Sequence, residues 1–172
     1  LSRGAYWIAR TYKKINNKQK SEEWFSEAAK YLNTYYGQLA FSEIYPEKSF
    51  ELEEQKKVSG KYEKEFNKNP LIKIVILLNE LDESKYTKDF IKHLAKINID
   101  KGSEILAGKL AVSIKRYDYA IQVSKQASYE KRFHNEINYP IINVPQIVNQ
   151  KTMPKPELVL AVIRQESEFD QK

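Results

Sequence analysis

Apolar residues recur at helical spacing along most of the chain. Ala5, Ile8, Ala9 and Tyr12 stand at i, i+3, i+4 and i+7, which predicts a helix over residues 3–15 with one buried face. After a polar link at 16–20, Ser21 reads as an N-cap with Glu22 and Glu23 in the first turn, and Phe25, Ala28, Ala29 and Leu32 repeat the stripe. Alanines beside aromatics let neighbouring helix axes come close. A third helix is predicted from Thr34 to Ile44. Gly37 inside it costs about 1 kcal/mol relative to alanine, so its presence points to another backbone or helix approaching closely. Pro46 closes this array.

A highly charged stretch follows to Asn69. Gly60 marks a break in it, and it reads as short exposed helices joining two layers. Asn69-Pro70 then forms an N-cap and N1 pair. The run from Leu71 to Leu81 is too long for an ordinary strand and has no partner strand, so it predicts a buried helix. Ser84 is placed as the cap of the next helix, with Tyr86, Phe90, Leu94 and Ile97 inward and His93 flanking them. Asp100 caps a helix that turns Leu106, Leu110 and Ile114 inward, and Asp118 caps a shorter one carrying Ile121 and Val123. Starts at 84, 100 and 118 leave only tight turns, which favours antiparallel neighbours.

Between Tyr139 and Pro156 the pattern changes, because four of the six prolines fall at 140, 145, 154 and 156. Proline removes backbone donors and biases the residue before it to extended geometry. An extended linker is predicted here, laid against the helices by Ile141, Ile142, Val144 and Ile147, with one helix beyond it from Pro156 to Phe169. The fold class is therefore all-α. Its expected divisions are a helical-repeat end at 1–46, a helical layer at 47–139, a Pro-rich linker at 140–155 and the start of a new domain at 156–172.

Composition narrows the function classes. Hydrophobic residues are 41% and charged residues 30%, with 5 glycines and 6 prolines, as expected of a helical chain with a charged surface. Absence of cysteine excludes disulfides, thiolate metal sites and cysteine nucleophiles. The net charge of +6 arises from 29 basic residues interspersed with 23 acidic ones, so no clustered basic face for nucleic acid is expected. No apolar run approaches the roughly 20 residues of a membrane span. The chain starts at Leu1 without an initiator methionine or leader, which reads as an excised piece.

Candidate chemistry lies in the last helix, at Ile163-Arg164-Gln165-Glu166-Ser167. At 100° per residue Glu166 shares a face with Val162, Ile163 and Phe169. A carboxyl fenced by apolar side chains loses solvation, which raises its pKa toward the range a general acid needs. The competing reading is a solvated surface charge near a helix end. Glu168, about 200° around a continued helix, would point away, whereas Asp170 at i+4 would approach Glu166. Two carboxylates one turn apart on one helix do not flank a sugar from opposite faces, so a single-carboxyl mechanism fits better. Ser167 and Arg164 are assigned to steadying the helix end or contacting later parts of the domain. His93 reads as a boundary residue, and His134 has no obvious acidic partner nearby in sequence.

The segment Pro156 to Asp170, an apolar helix ending in Gln-Glu-Ser followed by an aromatic and Asp, resembles the opening of the catalytic domain of soluble lytic murein transglycosylases. Tyr35-Tyr36-Gly37-Gln38-Leu39-Ala40 is similar to the segment that closes that family's superhelical domain, and the helices from about 70 to 139 fall where its linker domain lies. The resemblance implies a lysozyme-like catalytic domain beginning at 156, a periplasmic location, peptidoglycan glycan strands as substrate and no cofactor or metal. The implied reaction cleaves the bond between N-acetylmuramic acid and N-acetylglucosamine without water, leaving a 1,6-anhydromuramoyl end. Glu166 matches the family's single catalytic glutamate, acting first as acid and then as base, with the substrate's acetamido group stabilising developing positive charge. The family's Gly-Leu-Met-Gln motif does not occur before Lys172, so the 172 residues alone are expected to be inactive. The alternative is a non-enzymatic α-solenoid, tetratricopeptide-like at its start, that binds a protein partner.

Overall fold

Helix α1, Ser2–Lys14, buries Ser2, Ala5, Tyr6 and Ala9. The sequence stripe is rotated by part of a turn, since Tyr6 takes the inward position while Ile8 is exposed and Tyr12 half-buried. The large ring explains the choice: Tyr6 meets Phe25 and Tyr36 with centroids 5.7 and 5.4 Å apart, and such aromatic pairs prefer tilted or edge contacts. The chain is described by a computed structural model at residues 1–52, 54–143 and 154–170. Among these residues it is all-helical, with ten α-helices, one short 3-10 turn and no strand.

Helix α2, Lys18–Ala29, starts earlier than expected because Asn17 is its N-cap, its side chain accepting from the Lys20 amide. Ser21 is consequently a helix residue, not a cap. It is buried, and its hydroxyl donates to the Ala9 carbonyl at 3.1 Å, joining α1 to α2. In α3, Tyr35–Ile44, the cap is Thr34, which accepts from the Gly37 amide. The close approach expected at Gly37 is present: an added Cβ would lie 2.0 Å from the Tyr31 carbonyl oxygen. The approaching backbone is the turn just before the helix. Ala5, Tyr6, Ala9, Phe25, Ala28 and Ala40 form the core of this first compact unit, Leu1–Glu53.

The second unit, Glu54–Lys172, opens with irregular chain. A single helix, α4, replaces the expected short exposed helices: it spans Gly60–Asn67, Ser59 caps it, and Tyr62 and Phe66 are buried. Gly60 begins a helix here and does not break one. Helix α5, Pro70–Glu80, has the Asn69 cap and N1 proline that the sequence predicts. Its expected burial does not hold. Val75 is its one buried residue, while Ile74, Ile76, Leu77 and the following Leu81 are exposed. Only one side of α5 meets the core, and Ile74, Leu77 and Leu81 recur at i, i+3, i+7 on the other.

Helix α6, Ser84–Lys96, has Glu83 rather than Ser84 at its cap position, and its stripe is shifted by one residue: Thr87, Ile91, Leu94 and Ala95 are buried, whereas Tyr86 and Ile97 are exposed. The chain then passes through a 3-10 turn, Ile99–Lys101, which contains Asp100, so this residue does not cap the next helix. Gly102 does, at φ 95, a left-handed conformation that glycine adopts without a Cβ penalty. Helix α7, Ser103–Ser113, is buried almost all round, including Ser103 to Gly108. It is the axis of the unit, packed against α6 and α8 and touched by α4 and α9. Ser103 donates to the Ala95 carbonyl at 2.6 Å, and Gly108 admits Ile137 so closely that an added Cβ would meet its Cδ1 at 2.6 Å. Burying each such isoleucine or leucine contributes about 1.5–3 kcal/mol.

Helix α8, Tyr117–Tyr129, begins after Arg116 at the cap position, and Asp118 pairs with that arginine at 2.8 Å instead of capping. Helix α9, Asn135–Asn138, is a single turn. Beyond it Pro140 is buried but Ile141 is 92% exposed, so Ile141 does not hold the linker against the helices. Val144 and Ile147 lie outside the described residues. Helix α10, Pro156–Glu166, closes the unit.

Candidate functional site

Lys155-Pro156 begins α10 with proline at the first helical position, where its missing N–H has no helical partner to lose. The helix stops at Glu166. Ser167 donates to the Ile163 carbonyl at 3.1 Å, and Glu168 and Phe169 both adopt left-handed backbone, φ 53 and 62. Such residues cost of order 1–3 kcal/mol each outside glycine. Two contacts offset that cost. Phe169 is 6% exposed and reaches the Tyr117 ring, centroids 6.2 Å apart, while the Glu168 carboxylate pairs with Lys125. The turn thus hooks the end of α10 onto α8.

Arg164 supplies the second anchor. Its Nε donates to the Asn138 carbonyl at 2.8 Å and its Nη2 to the Asn138 side-chain oxygen at 2.6 Å, with the guanidinium 5.8 Å from the Tyr139 ring centre. Ser167 therefore steadies the helix end, and Arg164 ties it to α9. A hollow of about 210 Å³ lies on this side, between Tyr139, Leu160, Arg164 and Phe169, and Glu166 does not line it.

Glu166 itself points into solvent at the last residue of the helix. The apolar fence predicted from spacing does not form: Val162 is 53% exposed, and Phe169, turned back by the hook, belongs to the opposite contact with Tyr117. Glu168 is held by Lys125, with Arg164 4.0 Å away, so it is not free to serve as a second carboxylate. Asp170 is not one helical turn from Glu166 because the helix has ended. Among the described residues Glu166 is an exposed carboxylate without a hydrogen-bond or ion-pair partner, at a helix end docked by Arg164, Glu168 and Phe169.

A second cluster was not foreseen. Glu104, in the first turn of α7, is 6% exposed and accepts from Arg132 through both oxygens at 2.9 Å and from His134 Nε2 at 2.9 Å. Burial pushes the Glu104 carboxyl up, but the hydrogen bonds from Arg132 and His134 outweigh it and hold the group below its ordinary value. The hydrogen bonds to Glu104 and then Glu130 push Arg132 further up. Because an ionised carboxylate only accepts, the Nε2 of His134 must carry the proton. Its Nδ1 is buried without a partner among the described residues. The cluster joins the start of α7 to the chain after α8. The acidic partner of His134 stands thirty residues earlier in the chain, not nearby in sequence. His93 is exposed and joins neither cluster.

No group of three or more metal-ligating side chains occurs among the described residues. No helix among them is long and apolar enough to cross a membrane. No protein-family model matches the chain, and comparison with curated proteins and with solved structures gives no match either.

Proposed function

We propose that this chain is part of a periplasmic lytic murein transglycosylase that cleaves peptidoglycan glycan strands, with Glu166 as its general acid and base. The observation that supports this most directly is the Gln165-Glu166-Ser167 run at the end of a proline-started apolar helix, with Glu166 open to a ligand and its neighbours Arg164, Ser167 and Glu168 engaged in holding that end in place. In this reading α10 opens a lysozyme-like domain, and α1 to α3 end a superhelical array of helical repeats. The protonated Glu166 gives its proton to the glycosidic oxygen as the bond from the muramoyl C1 breaks. The sugar's own 6-hydroxyl then attacks C1 and returns a proton to the carboxylate. No water is consumed.

The test is release of 1,6-anhydromuropeptides from purified sacculi. The full-length protein is expected to release them and Glu166→Gln to abolish release. Anhydro products from Glu166→Gln at the wild-type rate would overturn the assignment. A second reading, a non-enzymatic α-solenoid that binds protein, is favoured by the exposed Ile74 and Leu77 on α5 and Leu81 just after it. It predicts no anhydro products from the full-length protein in the same assay.

A further inference from the structure

The outward face of α5 carries an apolar stripe with charges of both signs along one edge. Pro70, Ile74 and Leu77 on the helix and Leu81 just after it recur at i, i+4, i+7 and i+11. All are exposed, Leu77 by 55% and Leu81 by 64%, and the side that meets the core, at Val75, lies opposite. Lys73 and Glu80 stand at i and i+7, about 20° apart around the helix, and flank the stripe on one edge. Both are exposed, and neither has an ion-pair partner among the described residues. An apolar stripe rimmed by polar groups marks a contact surface.

The order of these residues is self-complementary. Let a second copy of α5 lie antiparallel to the first, with the two-fold axis level with the peptide between Ile76 and Leu77. Lys73 then stands level with the partner's Glu80, and Glu80 with the partner's Lys73. Ile74 falls midway between the partner's Leu77 and the partner's Leu81, about 3 Å along the axis from each, so the apolar side chains interdigitate. On antiparallel helices related by a two-fold axis, like edges face each other, and the two opposite-charge pairs form together. A parallel pair would set this edge against the opposite one, where Leu71 and Leu78 carry no charge. A partner of one charge sign would leave either Lys73 or Glu80 opposed by like charge. We propose that α5 is a self-association surface that joins two copies of this chain antiparallel, with the stripe supplying attraction and the Lys73–Glu80 pairs fixing direction and register. Few side chains meet on each side, so the association is weak and reversible. Glu166 takes no part in this contact.

Sedimentation equilibrium of the protein from about 10 μM to about 1 mM tests it. A reversible monomer–dimer equilibrium is expected, and Leu77→Glu should abolish it by setting two carboxylates together beside the axis. Leu77 is exposed, so the helical circular dichroism spectrum of that variant should be unchanged. Lys73→Glu alone and Glu80→Lys alone each turn two attractive pairs into two repulsive ones, and each should weaken association about tenfold. An equimolar mixture of these two variants should regain it as a heterodimer, because every carboxylate again faces a lysine. Unspecific apolar adhesion would not recover in that way. A monomer at every concentration, which would leave the stripe to a different protein or to another segment of the polypeptide, overturns the proposal. So does a dimer indifferent to Leu77→Glu, or a mixture that associates no more tightly than its components.

Discussion

His134 donates through Nε2 to Oε2 of Glu104 across 2.9 Å, and both side chains are less than a tenth exposed. With Arg132 bonded to both oxygens of the same carboxylate, Glu104 closes the end of α7 against the chain that follows α8. Removing one member of such a group leaves the others desolvated and unpaired, which costs more than the intact arrangement contributes. Glu104→Gln should therefore destabilise the protein by about 3 kcal/mol, the lower end of the range for buried pairs because Arg132 is 32% exposed. The shift of the urea midpoint at constant slope measures it.

The same carboxyl makes stability depend on acid. Its folded-state value is held below the ordinary 4.5, so the folded protein keeps it ionised where the unfolded chain would protonate it. Its contribution is complete above 4.5 and is lost as pH falls through the folded value. The stability gap between wild type and Glu104→Gln, measured by urea unfolding from neutral pH downward, should narrow below that point. A gap that widened in acid would contradict the sign.

Two glycines in helices should respond oppositely to alanine. Gly4, on α1, has nothing within 4 Å of an added Cβ, so Gly4→Ala should gain at most about 1 kcal/mol of helix propensity. At Gly37 the Cβ would sit 2.0 Å from the Tyr31 carbonyl oxygen, which also accepts from the Thr34 amide and hydroxyl. Propensity loses to overlap there, and Gly37→Ala should cost about 1–3 kcal/mol. Thermal unfolding of the two variants side by side decides it.

These sites also show what periodicity can and cannot deliver. Helix existence followed from spacing, and the Asn69-Pro70 start and the close approach at Gly37 were readable because each depends on neighbours in sequence. Which face turns inward was less readable. In α1 and α6 the buried arc is offset because Tyr6, Thr87 and Ile91 fit partners on other helices better than Ile8, Tyr86 and Phe90 do, and spacing contains no information about those partners. The caps at Asn17 and Gly102 displaced the expected Ser21 and Asp100 for a similar reason: several polar residues compete, and the turn geometry selects among them. Glu104 was invisible as a buried charge because its partners come from a distant loop. For Glu166 the sequence identified the residue to test, but its apolar surroundings depended on α10 continuing to Phe169, and the left-handed turn at Glu168 ends it sooner.

Because Glu166 is exposed, its effect on activity and its effect on folding should come apart. Glu166→Gln is expected to change unfolding free energy by less than about 0.5 kcal/mol, the usual scale for surface positions. On the proposed transglycosylase reading, activity on sacculi should vanish all the same. A large loss of stability in this variant would mean that the carboxylate has a structural partner.

The hook that ends α10 gives the most local prediction. Phe169 is 6% exposed against Tyr117, and the two left-handed residues are tolerated because that contact and the Lys125–Glu168 pair hold them. Phe169→Ala removes the buried ring but leaves α7 and its packing with α6 and α8 untouched. The expected result is faster amide hydrogen exchange across Pro156–Glu166, with exchange in Ser103–Ser113 unaltered. Arg164 remains bonded to Asn138 in that variant, so α10 should loosen from its C-terminal end first; adding Arg164→Ala should release the whole helix. Equal acceleration in α7 would show that α10 and the central helix unfold as one cooperative unit, and that the hook is part of the core.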